Sequence, residues 1–226
     1  MYTAPDQIQE QQTWSHDRLD CLLLLIIMSI YSIFGAKPLI QPHIIATVNQ
    51  KILFFLAKFS DMEFYERQIA RKLGIAYGSA NRALNELYAT GAIKRRQQGK
   101  MYFYSINRSN PTVADLKRLI NIVLIEPLVE ELKDISSKIV LYGSCAHGTD
   151  TSQSDLDLFV ASDKRKQAIS VIENFTFLQG FESINIQAVV KSHAEILRAG
   201  RAEQAFLDEV EQGIVLWERA SGERKV

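Results

Sequence analysis

Cysteine is scarce in this sequence. The 226 residues contain two cysteines, Cys21 and Cys145, which do not make a disulfide framework. This scarcity is typical of proteins kept in a reducing compartment, so we expect a cytoplasmic location. Internal repeats and low-complexity tracts are also missing. The length allows one or two domains with proper hydrophobic cores.

No apolar run is long enough to span a bilayer comfortably. The longest covers residues 21–36, and a spanning helix needs about 20 residues. The segment before it is acidic rather than basic, which argues against a signal peptide. Three interpretations remain open: a helix that packs on the protein or on a second copy, a membrane-associating helix, or an over-extended gene start without specific function. We do not expect a membrane partner for the whole protein.

The chain has no net charge, but its charges are unevenly distributed. Residues 49–110 hold 11 basic and 4 acidic residues, whereas residues 1–48 hold 2 and 4 and residues 111–226 hold 13 and 18. A basic segment between two acidic ones indicates a local surface for nucleic acid rather than a generally basic protein.

Three short amphipathic helices and a hairpin are predicted in the basic segment. The apolar spacing predicts helices over 51–59, 66–73 and 77–90, with glycines after the second and third. Two strand-like runs follow around Gln98-Gly99, as in a β-hairpin. The residues expected to face inward are Ile52, Phe55, Leu56, Phe59, Ile69, Ala70, Leu73, Ala80, Leu84 and Leu87.

This pattern resembles the winged helix-turn-helix domains of bacterial regulators. The resemblance covers residues 49–110 and implies that the third helix enters the major groove while hairpin cations neutralise phosphates. A charged edge strand that only protects the sheet is the alternative for the hairpin. The candidate DNA-binding residues are Tyr77, Ser79, Asn81, Arg82, Asn85, Lys94, Arg95, Arg96 and Lys100.

A helical connector and a second set of helices and strands follow. We assign 111–135 to a connector that Pro127 kinks or divides. Its apolar stripe is wide enough to pack on both domains or on a partner helix. Beyond it, the pattern predicts a helix over 164–179, a strand over 183–190, a helix over 192–212 and an edge strand over 214–217.

The stretch 138–160 reads K-I-V-L-Y-G-S-C-A-H-G-T-D-T-S-Q-S-D-L-D-L-F-V. Its first apolar run predicts a buried strand that ends at Gly143 and Ser144, two small residues suited to a tight turn near a ligand. A second strand begins at Asp155. Because strand side chains alternate, Asp155 and Asp157 face one way and the apolar residues between them face the other. Paired carboxylates suit Mg²⁺.

Gly143-Ser144 followed after ten residues by Asp155-x-Asp157 resembles the signature of minimal nucleotidyltransferases of the DNA polymerase beta superfamily. The resemblance implies a small α/β domain over 136–226 and Mg²⁺-dependent transfer of a nucleotide monophosphate from an NTP. Asp155 and Asp157 would be the catalytic metal ligands. The nucleotide-binding residues would be Gly143, Ser144, His147 and Gly148.

Two positions depart from that family's pattern. His147 stands where many members have arginine, which holds phosphate with a fixed, permanently charged group. Active members also have a third acidic residue on the next strand, and here the inward positions offer Asn185 or Gln187. Neither Glu182 nor Glu195 falls obviously on that position. An amide cannot take a proton from an acceptor.

The expected fold is therefore α+β: a winged helix-turn-helix followed by a small α/β nucleotidyltransferase-like domain with a mixed sheet. Two functions stay open. One is a nucleotidyltransferase that its winged helix targets to nucleic acid. The other is a DNA-binding regulator whose second domain is degenerate and senses a nucleotide or binds a partner. The resemblance also implies a homodimer and a toxin-like protein partner as possible assemblies.

Overall fold

The winged-helix half is built from three helices and a three-stranded antiparallel sheet. The computed structural model describes residues 47–219, all within one compact unit. The elements are α1 (Val48–Lys58), β1 (Phe64–Tyr65), α2 (Glu66–Lys72), α3 (Tyr77–Ala89), β2 (Ile93–Gln98) and β3 (Met101–Ile106). The strand order is β1-β3-β2, and Gly99 and Lys100 form the hairpin turn. This arrangement confirms the predicted winged helix-turn-helix.

Local sequence explains where these helices begin and what they bury. Thr47 accepts a hydrogen bond from the Gln50 amide, and the Gln50 side chain accepts one from the Thr47 amide, so a capping box starts α1. The predicted apolar stripes of α1, α2 and α3 are all buried in the core. The interpretations of residues 21–36 concern a segment that lies outside the described residues.

The connector is a single long helix, α4 (Val113–Leu132). Pro127 lies inside it without dividing it. The helix packs against α1 on one side and against the second half of the chain on the other, through Ile120, Leu124 and Leu128. It therefore joins the two halves, as one of the two predicted packing modes proposed.

The second half is a four-stranded mixed sheet covered by helices. Its elements are β4 (Lys138–Tyr142), α5 (Gly143–His147), β5 (Leu156–Ala161), α6 (Arg165–Glu173), β6 (Ile186–Lys191), α7 (His193–Leu197), α8 (Arg201–Glu211) and β7 (Ile214–Glu218). The strand order is β6-β5-β4-β7, with β5 and β6 parallel and the other pairs antiparallel. The mixed sheet and the edge position of β7 are as predicted.

Two helix predictions in this half are wrong in extent. Residues 192–212 form two helices, because the chain leaves the helix after Leu197 and Gly200 caps a new one. The helix predicted over 164–179 ends at Glu173. Phe175 and Phe177 beyond it pack edge to face, with ring centroids 5.1 Å apart. Beyond Glu173 the apolar spacing continues because Phe175 and Phe177 are partly buried in the loop, whereas beyond Leu197 the chain is largely exposed and the continued spacing does not reflect burial.

Both faces of the mixed sheet are covered. Leu156, Leu158 and Val160 are fully buried in the main core, which runs without a break from the winged helix through α4. The opposite face carries a second, smaller core in which Phe206 and Val210 of α8 pack on the sheet. Asp157 lies on this second face, at the end of the sheet where β4 turns into α5. Within residues 47–219, no helix is long and apolar enough to cross a membrane.

Candidate functional site

The turn after β4 is shaped around a carboxylate. Gly143 has φ +66°, and a Cβ atom added there would lie 2.5 Å from Oδ2 of Asp157. Only glycine leaves room for this contact and adopts that backbone angle without strain. The turn then enters α5, in which Ser144 is half-buried. The structure thus brings together three residues that the sequence assigned to one site.

The two carboxylates lie side by side at the start of β5. Asp155 immediately precedes the strand, and Asp157 pairs in register with Tyr142 at the end of β4. Burial, followed by the negative charges of Asp155 and Glu209, raises the pKa of Asp157. Two neighbouring carboxylates attract a cation, and oxygen ligands of this kind suit Mg²⁺.

The position beside Asp157 on the next strand is occupied by an amide. Gln187 of β6 pairs in register with Asp157 in the parallel ladder, and it is exposed. Glu182 instead accepts a hydrogen bond from the Gly180 amide, and Glu195 caps α7 with Ser192. Within residues 47–219, no three Asp, Glu, His or Cys side chains form a group that could hold a metal ion.

Sequence reasoning missed Glu209. Burial raises the pKa of Asp157 and of Tyr142, and the negative charge of this exposed residue of α8 adds to both shifts. Phe206 and Val210, one turn before and one residue after it, pack against the sheet and fix its position. The alternation of apolar and acidic residues in α8 was an available signal, but it did not show which strand the helix covers.

His147 and Gly148 have different surroundings. Nδ1 of the exposed His147 donates to the Gly143 carbonyl at 2.7 Å, so Nε2 is the ring nitrogen left for other partners. Gly148 (φ +70°) packs against α4, and a Cβ atom there would lie 2.1 Å from the Ala114 carbonyl oxygen. Gly148 thus holds the loop after the turn against the connector.

The Cys145 thiol is not suited to nucleophilic chemistry. It is fully buried and donates to the Asp155 carbonyl at 3.3 Å. Burial raises its pKa to about 11, despite the nearby Lys58. The thiol therefore stays protonated and ties the turn to the start of β5.

The candidate DNA-binding residues lie on α3 and the hairpin, but several already have partners. Arg95 lies between the rings of Tyr88 and Tyr102, 4.2 and 4.7 Å from their centroids, and donates to Asn85. Asn85 in turn donates to Asn81. These contacts join the third helix to the wing. Tyr88 and Tyr102 were not among the predicted residues, although both are exposed aromatic residues beside the cations.

The remaining candidates differ in how free they are. Arg96 forms an ion pair with Glu63 at 2.6 Å and stacks on Phe103. Tyr77 donates to Glu66, and Lys94 donates to Ser109. The candidates for which the structure of residues 47–219 records no side-chain partner are Ser79, Arg82 and Lys100, all exposed.

Comparison with known proteins decides the nature of the second half. A family model described as the nucleotidyltransferase domain matches residues 124–212. This part of the chain is a nucleotidyltransferase domain. The match confirms the resemblance found in the Gly-Ser and Asp-x-Asp spacing. It begins inside α4 and ends before β7. No curated protein sequence matches the chain significantly.

Several solved structures are distantly similar. The zinc-responsive MarR family member ZitR from Lactococcus lactis is 16% identical over 53% of this chain and 85% of its own, with a TM-score of 0.33. The transcriptional regulator BldR from Sulfolobus solfataricus is 18% identical over 54% and 87%, with a TM-score of 0.32. A candidate nucleotidyltransferase from Sulfolobus solfataricus is 18% identical over 50% and 94%, with a TM-score of 0.30.

A buried polar cluster connects the nucleotidyltransferase domain to the winged helix. Asp150, in the loop after the Gly-Ser turn, accepts hydrogen bonds from Lys58 of α1 at 2.9 Å and from Asn121 of α4 at 3.3 Å. Lys117 of α4 lies 3.5 Å from the same carboxylate and donates to the Asp150 carbonyl. All four residues are almost completely buried. The sequence contained one sign of this buried cluster: lysine and asparagine residues inside otherwise apolar helical stripes.

Proposed function

We propose that this chain is a Mg²⁺-dependent nucleotidyltransferase that transfers a nucleotide monophosphate from an NTP to an acceptor with release of pyrophosphate, and that its winged helix binds DNA. The observation that carries the enzymatic part is the contact of Gly143 with Asp157. The Asp157 carboxylate, which would bind the metal in this proposal, lies directly beside the turn that would hold the phosphates. A turn with a purely structural role has no need of a carboxylate at that position.

Each residue of the site has a role in this proposal. Asp155 and Asp157 would hold Mg²⁺ together with the phosphates, because this ion is usually bound by one or two carboxylates and substrate oxygens. Held there, such an ion would supply neutralisation of the charge that develops during an in-line displacement at phosphorus. The turn amides and the Ser144 hydroxyl would bind the phosphate tail. His147 would donate from Nε2 only as the imidazolium ion, since Nδ1 already donates to Gly143.

Glu209 is our candidate for the carboxylate that takes a proton from the acceptor. Gln187 occupies the position beside Asp157 but cannot take a proton. Glu209 is exposed, and its charge acts on Asp157 from the helix that covers this face. A Glu209→Gln variant should retain Mg·NTP binding and lose transfer. An unchanged transfer rate would exclude the assignment.

Calorimetric titration of Mg·ATP and Mg·GTP tests the site itself. The natural protein should bind at least one of the two, and Asp157→Asn should remove the Mg²⁺-dependent part of the affinity. Binding that survives this substitution would contradict the proposed metal site. A positive result justifies a search for the acceptor with α-labelled NTP.

A second function is favoured by Gln187. If the domain is degenerate, the protein is a DNA-binding regulator that senses a nucleotide or binds a protein partner. Gln187→Asp restores the acidic residue that active members have at this position. Transfer activity that appears only in this variant would assign the natural protein to the regulator class. Activity in the natural protein would assign it to the enzymes.

The DNA-binding part of the proposal is tested separately. Selection from random duplexes should yield a defined site. A two-fold repeat in that site, together with the mass of the free protein, would show whether the chain acts as a dimer. A small helical protein that co-purifies in stoichiometric amount would support a toxin-like partner.

A further inference from the structure

A cavity separates the winged helix from the carboxylates of the nucleotidyltransferase domain. Its volume is about 380 Å³, within the range of roughly 300–1,000 Å³ typical of small-molecule sites. The winged helix supplies an apolar wall of Phe59, Met62 and Phe64, with the cation Lys72 beside it. We call this space the aromatic cavity. Neither the family match nor the proposed chemistry assigns it a role.

The opposite wall is polar and includes a residue of the proposed metal site. It contains Asp155 itself, Ser152 and Ser154 from the loop before it, and Ser183 and Asn185 from the segment before β6. The aromatic cavity therefore opens directly beside the carboxylates. Its hydroxyl and amide groups offer both hydrogen-bond donors and acceptors.

Contacts between the two halves hold the walls in place. Phe181 of the nucleotidyltransferase domain stacks on Phe59 with ring centroids 6.2 Å apart and an interplanar angle of 18°. The Asp61 carboxylate accepts two hydrogen bonds from Ser152, from its amide at 2.8 Å and from its hydroxyl at 2.7 Å. Burial alone would raise the pKa of Asp61, but these hydrogen bonds lower it. The cavity is thus a preformed part of the fold.

A planar ring with polar edges fits this combination of walls. A nucleobase has apolar faces, which stack on aromatic side chains, and an edge of donors and acceptors. The base of an NTP is tethered one ribose away from the α-phosphate. If Asp155 and Asp157 hold the phosphates, the base must therefore lie next to them, and the aromatic cavity borders Asp155.

We propose that the aromatic cavity receives the base of the bound nucleotide, so that the winged helix forms one wall of the nucleotide site. This inference rests on the proposed function, because the phosphates locate the base. It gives the winged helix a role in nucleotide binding in addition to DNA binding. A nucleotidyltransferase domain without this winged helix would lack the apolar wall.

The test compares a ligand that has a base with one that lacks it. Mg·tripolyphosphate and each of the four Mg·NTPs are titrated calorimetrically into the full chain and into Ser183→Trp, which fills the cavity. The Kd of the preferred NTP should rise about tenfold or more in the variant. The Kd of tripolyphosphate should stay within about twofold. Ser170→Trp, on the exposed side of α6, is the matched control and should change neither.

Met62→Ala provides a second variant that does not depend on filling the cavity. Met62 is 41% exposed, so its truncation should leave the fold intact. The NTP should bind a few fold more weakly and tripolyphosphate equally well. Thermal unfolding of every variant shows whether a loss of affinity is a loss of folding.

The outcomes separate the inference from the proposed function. The inference is overturned if Ser183→Trp and Met62→Ala leave NTP affinity unchanged, or weaken NTP and tripolyphosphate equally. If the natural protein binds neither ligand, the proposed function fails. Ligand-observed NMR with the four nucleosides then tests whether the cavity binds a base. Nucleoside binding that Ser183→Trp abolishes supports the inference, and the absence of nucleoside binding overturns it.

Discussion

At the scale of single residues, Gly143 shows how the fold and the site depend on each other. The glycine satisfies a positive φ angle, and its missing side chain leaves space for the Asp157 carboxylate. The carboxylate is the end of a mobile side chain and can rotate away from a new methyl group. Substitution should therefore harm the site more than the fold.

Gly143→Ala and Gly99→Ala form a matched pair that tests whether substitution of Gly143 harms the site more than the fold. Both positions have a similar positive φ, 66° and 61°, but nothing lies near Gly99. Each variant should lose about 1–2 kcal/mol of unfolding free energy in urea titrations. Only Gly143→Ala should lose Mg·NTP binding in calorimetry. Retained binding in Gly143→Ala would mean that Asp157 is not held at the turn for the metal.

Asp157 makes a prediction about pH. Its pKa is raised by burial and then by Asp155 and Glu209, so the folded state binds this proton more tightly than the unfolded state. Its contribution to stability is present below the unfolded pKa, near 3.8, and is lost as pH rises through the higher folded value. In EDTA, Asp157→Asn should therefore become more stable relative to the natural protein as pH rises from about 4.

The measurement is the Tm of both proteins between about pH 4 and 8. Mg²⁺ and an NTP should reverse the order by stabilising only the natural protein. If the Tm difference between the two proteins does not change with pH, the carboxylate is not destabilised by its surroundings.

The spacing of residues along the sequence predicted only part of this site. The Gly-Ser turn and both aspartates could be predicted, because spacing along two strands fixes them. Glu209 could not, because its position depends on which face of the sheet α8 covers. The partners of Arg95 were also hidden, since Tyr88 and Tyr102 reach it from two different elements.

At the scale of secondary-structure elements, the cluster around Asp150 fixes α1, α4 and the loop after the Gly-Ser turn. One carboxylate serves two buried lysines and an asparagine. Removing a partner from such a cluster leaves a buried charge uncompensated, which is far more costly than losing an exposed ion pair.

Asp150→Asn should accordingly lower the unfolding free energy by about 3–5 kcal/mol. Asp163→Asn is the control: its exposed pair with His193 should be worth less than about 1 kcal/mol. Urea unfolding of both variants measures the difference. Similar small losses in the two would show that the cluster adds little to stability.

The two wing cations Lys100 and Arg96 should contribute differently to the salt dependence of DNA affinity. Arg96 is already paired with Glu63, whereas no partner is recorded for Lys100 among residues 47–219. If the wing lies on phosphates, Lys100→Ala should reduce the slope of log K against log salt by about 1. Arg96→Ala should reduce it less, because its charge is partly neutralised within the protein. Fluorescence anisotropy of a labelled duplex at several salt concentrations measures both, and equal reductions would contradict this ranking.

The element-scale predictions succeeded where amphipathic periodicity was uninterrupted. The three helices of the winged helix, the hairpin and the strands of the mixed sheet follow directly from apolar spacing. Prediction failed at Gly200, where a helix break lies inside a continuous apolar pattern. Of the two outcomes predicted at Pro127, a division of the helix is wrong, because tertiary packing on both sides keeps α4 continuous despite the lost hydrogen bond.

At the scale of the whole molecule, the two halves are packed against each other and are not independent domains joined by a linker. Phe55 and Phe59 of the winged helix pack with Phe181 of the nucleotidyltransferase domain, and one core runs from α1 through α4 to the sheet. A sequence read from end to end shows two motifs and a connector. It does not show that the connector buries the inner surfaces of both, because that depends on contacts between distant positions.

Shared packing of this kind predicts unfolding as one unit. Calorimetry should show a single transition whose calorimetric and van't Hoff enthalpies agree.

Phe181→Ala should lower the free energy of unfolding by about 3–5 kcal/mol while the winged helix and the nucleotidyltransferase domain still unfold together. Phe177 is only partly buried and packs edge to face on Phe175, so Phe177→Ala serves as the control and should cost less. Two transitions, of which a DNA duplex raises one and Mg·NTP the other, would show that the halves are energetically independent. A single transition raised by either ligand would mean that nucleotide and DNA stabilise the same folded unit.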